Sequence, residues 1–137
     1  VRADPLNPQA HYNAATVALR LGRTTDAITR LKRTVELSPE SAVPTIELAW
    51  LLAAFPDASV RDAALAVQLA ARAVALTTQR DAGAFDVLGA AQAAAGDFRR
   101  AVQAADAALA LAPANAAEIR TRRELYLQNR AFVLQRR

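Results

Sequence analysis

His11 is the only histidine in 137 residues, and no cysteine accompanies it. A thiolate metal site, a cysteine nucleophile and a His-based proton relay therefore all lack partners in this chain. Among the carboxylates, Asp57 and Asp62 flank a short stretch opened by Pro56. They read better as turn and cap residues than as a paired general acid and base. The four glycines are isolated, so no phosphate-cradling loop is present. No catalytic, cofactor-binding or metal-binding residue is assigned, and the chain reads as a non-enzyme.

Cationic chemistry is the other kind on offer. Net charge is +4 with an isoelectric point near 10.6, and Arg120, Arg122, Arg123, Arg130, Arg136 and Arg137 crowd the last eighteen residues. Nucleic-acid binding needs several cations along one face, with stacking rings for a single strand. At about 100° per residue these arginines spread round a helix, with Glu118 and Glu124 between them. A solvated capping helix accounts for them better than nucleic acid or an anionic membrane surface does. Sixteen of the seventeen basic residues are arginine, which suggests a GC-rich bacterial genome.

The elements that carry these residues are helices. Apolar residues make up 53% and charged ones 22%, which disfavours disorder. About a quarter of the chain is alanine, the best helix former and the residue that lets two helix backbones approach closely. The β-branched and aromatic runs of strands are missing. No apolar stretch is long enough to span a bilayer, and Leu48–Phe55 is too short for a signal core. No membrane segment is expected in this chain, and the compartment, cytoplasmic or periplasmic, stays open.

Internal repetition is plain. AVQLAARAVAL from Ala66 and AVQAADAALAL from Ala101 agree at seven of eleven positions, thirty-five residues apart. AITRLKRTVEL from Ala27 keeps the same apolar rhythm at i, i+3/i+4 and i+7. Each copy follows another helical segment. In the clearest pair, Gly96 ends the first helix, Asp97 caps the second through its carboxylate, and Pro113 stops it. Gly22 and Pro39 hold the matching places in the first pair.

Phe85, Leu88, Gly89, Ala101 and Pro113 in the clearest pair, and His11, Ala15, Ala27, Leu31 and Pro39 in the first, fall at the offsets of a known signature. The chain resembles the tetratricopeptide repeat, a 34-residue helix-turn-helix unit. The small columns Ala15/Ala49/Gly89, Ala27/Ala66/Ala101 and Thr34/Ala73/Ala108 stand where the two helices of such a unit touch. The resemblance implies an all-α solenoid of about three repeats plus a C-terminal capping helix. The expected boundaries are 1–7 for the end of a preceding repeat, since Pro5 lies thirty-four residues before Pro39, then 8–41, 42–81 and 82–114 for the repeats and 115–137 for cap and tail. The middle unit departs from the pattern: Pro56 ends its first helix, and an insertion near 56–61 delays the second, with Ser59 and Asp62 read as a capping box. It resembles a variant found near the C-terminal end of bacterial arrays. Asn115 and Glu118 are expected to cap the last helix, roughly Ala116 to Leu127, beyond which the chain continues as helix or frays.

In this family the first helix of each repeat lines a concave groove. The resemblance implies inward positions at Tyr12, Thr16, Leu19, Ile46, Trp50, Ala53, Asp86, Ala90 and Ala93, with Asn13, Arg20 and Glu47 at the rim. His11 takes the place of a packing ring. Such an apolar, aromatic groove with one acid suits a peptide or protein partner, because large rings offer area at low rotamer-entropy cost. Trp50 stays open between two roles, facing the groove or packing under the inserted loop by Phe55 and Pro56. Some relatives clamp a partner's terminal carboxylate with paired lysines and asparagines; Thr16, Ile46 and Trp50 occupy several of those places here, which argues against a clamp. Self-association through exposed apolar residues, and a spacer role inside a longer, even membrane-anchored, bacterial protein, are the rival readings.

Overall fold

Helix starts and stops in this chain are fixed by short-range chemistry. The computed structural model describes residues 6–134. Seven helices run through them: α1 (Pro8–Arg20), α2 (Thr24–Leu37), α3 (Ala42–Ala54), α4 (Ala63–Leu76), α5 (Ala82–Ala94), α6 (Phe98–Ala110) and α7 (Ala116–Leu127). No strand occurs among the described residues. Residues 1–5, and with them most of the expected preceding repeat, lie outside the described region, as do Arg136 and Arg137.

The turn between α5 and α6 shows how one stop and one start are joined. Gly96 adopts φ +84°, a left-handed conformation that costs glycine nothing. Its N–H donates to the carbonyl of Ala93 and that of Asp97 to Gln92, closing the double-bonded C-terminal motif. The Asp97 carboxylate then accepts from the Arg100 N–H at 3.2 Å. Asp62 and Asp81 cap α4 and α5 through the N–H groups of Leu65 and Gly83. Replacing Asp97 by Ala removes the acceptor and is expected to cost about 1 kcal/mol, whereas Asp97→Asn retains most of it. The shift in urea midpoint, read by circular dichroism, checks this.

Two expected caps come out differently. Asp62 alone caps α4; Ser59 turns back, its N–H and hydroxyl both donating to Asp57 Oδ1. Because α4 starts at Ala63 with Asp62 as its N-cap, Ser59 stands three residues ahead of the cap position a capping box requires. Asn115 occupies the N-cap of α7 but its side chain makes no capping bond. The inserted loop is held at its end by the Asp62 N–H, which donates to the carbonyl of Leu52 in α3 at 2.7 Å.

Each even-numbered helix packs on both the helix before it and the helix after it, and α3 packs directly on α5. The result is an α-α solenoid, in which each helix touches only its near neighbours. Close approach depends on small side chains: Ala27, Ala66, Ala73, Ala101 and Ala108 are fully buried. Gly89 is the extreme case. A Cβ at that position would lie 3.2 Å from the Ala101 carbonyl oxygen and 3.4 Å from the Tyr126 ring. Leu31, Leu48, Leu52, Val87, Ile119 and Tyr126 supply the large buried side chains.

Candidate peptide-binding face

The odd-numbered helices share one face, and contacts distant in sequence run across it. On α1, Tyr12, Thr16 and Leu19 are half-buried, while Asn13 and Arg20 are exposed. Ile46, Glu47 and Trp50 stand half-buried on α3. The Tyr12 hydroxyl donates to Glu47 Oε1 at 2.6 Å, tying the two helices together thirty-five residues apart. That bond, more than burial, pushes the Tyr12 phenol up to about 12, because the neutral form is the donor that the carboxylate needs. The Thr16 hydroxyl is turned back to the Tyr12 carbonyl at 3.2 Å. His11 lies on the other side of α1, buried, with Arg30 Nη1 of α2 3.2 Å from its Nδ1.

Asp86 and Ala90, expected on the inner surface, are not open to a ligand. Ala90 is fully buried, as are Ala53 and Ala93 nearly so. Asp86 is 5% exposed and is gripped by Arg122 of α7 through both oxygens, Nε to Oδ1 at 2.9 Å and Nη2 to Oδ2 at 2.5 Å. The physical reason is the last helix. It lies beside α5 and brings a planar, bidentate cation to the one acid on this part of the face. Burial raises the Asp86 carboxyl above the ordinary aspartate value, and the Arg122 bonds and charge oppose that rise. The capping helix is therefore not wholly solvated: Arg120 is exposed, but the Arg122 side chain is 11% exposed.

Trp50 faces this same surface rather than the inserted loop alone. Its ring meets Phe132 edge-to-face, with centroids 5.9 Å apart and planes at 78°. The Arg122 guanidinium carbon sits 5.5 Å from the Trp50 centroid and 5.0 Å from that of Phe132. The chain reaches this place by reversing after α7. Asn129 takes φ +57°, and the N–H of Arg130 donates to the carbonyl of Leu125, a left-handed helix stop that turns residues 130–134 back. These residues neither continue α7 nor fray. Phe132 and Leu134 are half-buried against the core while Ala131 and Val133 point out. The Leu134 N–H donates to the carbonyl of Ala54, the last residue of α3, at 2.7 Å.

Sequence reasoning missed Arg122 and Phe132 as residues of this face. The alternation of Phe132 and Leu134 and the asparagine at the helix stop were the available signals, and four residues of alternation are too few to decide between strand, helix and coil. The face thus has two parts: an open one between α1 and α3, and one between α3, α5 and α7 that the chain itself covers. Among the described residues no group of three His, Asp or Glu side chains is placed to hold a metal ion, and no helix is long and apolar enough to cross a membrane.

No protein-family model matches the sequence, and no curated protein matches it significantly. Solved structures do. The first tetratricopeptide-repeat domain of Spaghetti (RPAP3), solved with the HSP90 peptide SRMEEVD, superposes with a TM-score of 0.72 at 20% identity, over 92% of this chain and 97% of that one. Two structures of MamA superpose at 0.68 and 23% identity, over 93% of this chain and 72% and 77% of theirs. Seven helices stacked with their odd members on one face define an α-α solenoid. More narrowly, the chain has the tetratricopeptide-repeat fold.

Proposed function

We propose that this domain is a non-enzymatic interaction module that holds a peptide or protein partner in its concave groove. The working unit of this reading is three repeats, 8–41, 42–81 and 82–114, closed by 115–137 as a cap. The observation that carries it is the open part of the face. Tyr12, Leu19 and Ile46 are half-buried apolar or aromatic residues on two helices, held in register by the Tyr12–Glu47 bond. Preset rings beside polar rims supply contact area with little ordering cost. The similarity in fold to a domain solved with a bound peptide supports the same general use. The chemistry of that peptide does not carry over: SRMEEVD is acidic, whereas Glu47 stands on this face and Arg122 is already paired with Asp86. An apolar partner segment fits better than an acidic tail.

The test is site-specific photocrosslinking in the cell, with the reactive group at Thr16 on the face or at Arg99, exposed on α6. A partner is expected to be trapped from Thr16, not from Arg99, and to disappear in a Tyr12→Ala/Ile46→Ala variant that stays helical. Equal trapping from both positions, or trapping that the double variant leaves unchanged, overturns the groove.

A further inference from the structure

The part of the face that the chain covers shows what it is built to hold. Residues 131–134 lie outside any helix and alternate between exposed and half-buried, a pattern a bound peptide shows when its backbone and every second residue are recognised. Three features meet them. The Trp50 ring receives the edge of Phe132. The Arg122 guanidinium, fixed in plane by Asp86, lies against the same Phe132 ring and adds a cation–π attraction specific to aromatic residues. The carbonyl of Ala54, at the α3 C-terminus where helix carbonyls lack intrahelical donors, accepts the Leu134 N–H. The last contact reads backbone, and the Leu134 side chain beside it is half-buried against the core, which adds a preference for an aliphatic residue there. The first two ask for an aromatic ring.

The segment is also lightly held. It forms no regular secondary structure, and one backbone hydrogen bond ties residues 131–134 to the helices among the described residues. Such a segment opens locally without unfolding the domain. Being tethered, it competes at an effective concentration on the millimolar scale, so it screens out weak ligands and yields to strong ones.

We infer that the cradle of Trp50, Arg122 and the Ala54 carbonyl is a recognition site for an extended peptide bearing an aromatic residue and, two positions on, an aliphatic one. Residues 130–134 are its intramolecular competitor, which a partner segment of the same chemistry displaces. The partner half of this inference rests on the interaction-module reading; the site itself does not, since the chain's own segment is the probe.

The experiment uses a fluorescein-labelled synthetic peptide spanning residues 129–135 and the full chain with Phe132→Ala/Leu134→Ala. Fluorescence polarisation is expected to show binding to this freed variant at least ten-fold tighter than to the unaltered chain. Binding should be lost when the peptide's own Phe and Leu are replaced by Ala, and when Trp50→Ala is added to the freed variant. A helical freed variant that binds the peptide no better than the unaltered chain overturns the inference. Hydrogen exchange on the unaltered chain decides the matter even if the freed variant fails to fold. The Leu134 amide is expected to exchange at least a hundred-fold faster than those of Leu48 and Val87, and faster still with excess unlabelled peptide. Exchange of Leu134 only with global unfolding would make the segment a fixed part of the core and sink the proposal. A dimer of the unaltered chain, with each segment seated in the other copy, would likewise overturn it in favour of self-assembly. None of these readouts needs a cellular partner, so a failure of the photocrosslinking experiment leaves them intact.

Discussion

Arg122→Ala is expected to be the most damaging single charge change in the chain, costing about 3–5 kcal/mol of unfolding free energy. Typical domains are stable by about 5–15 kcal/mol, so this is a large fraction of the whole. The loss comes less from the missing attraction than from what is left behind. Asp86, 5% exposed in the unaltered chain, is left with no Arg122 cation on either oxygen. A companion variant separates the two contributions. Asp86→Leu with Arg122→Met together replaces the pair by apolar side chains and is expected to cost much less than Arg122→Ala alone, since the desolvation penalty leaves with the charges. Chemical denaturation of the three proteins in parallel measures the difference.

The same variant carries a pH signature. Burial already raises the Asp86 carboxyl, and Arg122 is the group that holds it down; removing Arg122 moves it further up. A carboxyl raised in the folded state takes up its proton on folding, so its contribution is favourable at low pH and is lost as pH rises through the folded value. The deficit of Arg122→Ala against the unaltered chain is therefore expected to be largest near pH 7.5 and to narrow towards about pH 4, the ordinary aspartate range. A deficit independent of pH would mean that Asp86 finds another cation in the variant.

Tyr126 gives the second large effect, and it splits by substitution. The ring is 1% exposed and packs among Ala101, Ala105, Ala108 and Ile119, close over Gly89. Tyr126→Ala should cost about 3–5 kcal/mol, the usual range for deleting a buried aromatic ring, because a solenoid of short alanine-rich helices cannot collapse to fill the space. Tyr126→Phe should cost nothing or stabilise slightly. The hydroxyl is buried with no hydrogen-bond partner among the described residues, and burial drives its phenol well above the ordinary tyrosine value. A group in that position brings a desolvation cost without a compensating bond. Urea midpoints followed at the helical circular-dichroism band measure both; a clear loss in the phenylalanine variant would reveal a bond that the hydroxyl makes.

What the sequence by itself determined is what neighbouring residues decide. Ala116 to Leu127 is the last helix as read, Gly22 and Gly96 end helices at positive φ, Pro56 ends the third helix, and Asp97 caps the sixth. Each is settled by backbone sterics or a hydrogen bond within six residues, so the pattern is visible in the letters. The repeat rhythm was legible for the same reason: small residues must recur wherever two backbones meet, as at Ala27, Ala66 and Ala101.

Only the tertiary structure decided which of the crowded arginines is buried. Arg122 and Arg123 sit side by side, yet one grips Asp86 from α5 and the other meets exposed Asp106 on α6 at 2.6 Å. That choice depends on where α7 crosses α5, thirty-six residues away, and nothing within a few residues of either arginine encodes it. The fate of residues 130–134 was hidden likewise. Their two inward side chains are a weak local signal, and what fixes them is a tryptophan and a free helix-end carbonyl about eighty residues earlier in the chain. Local propensity names the elements, while the pairing of distant polar and aromatic groups, won by competition among burial costs, determines which part of the groove is open.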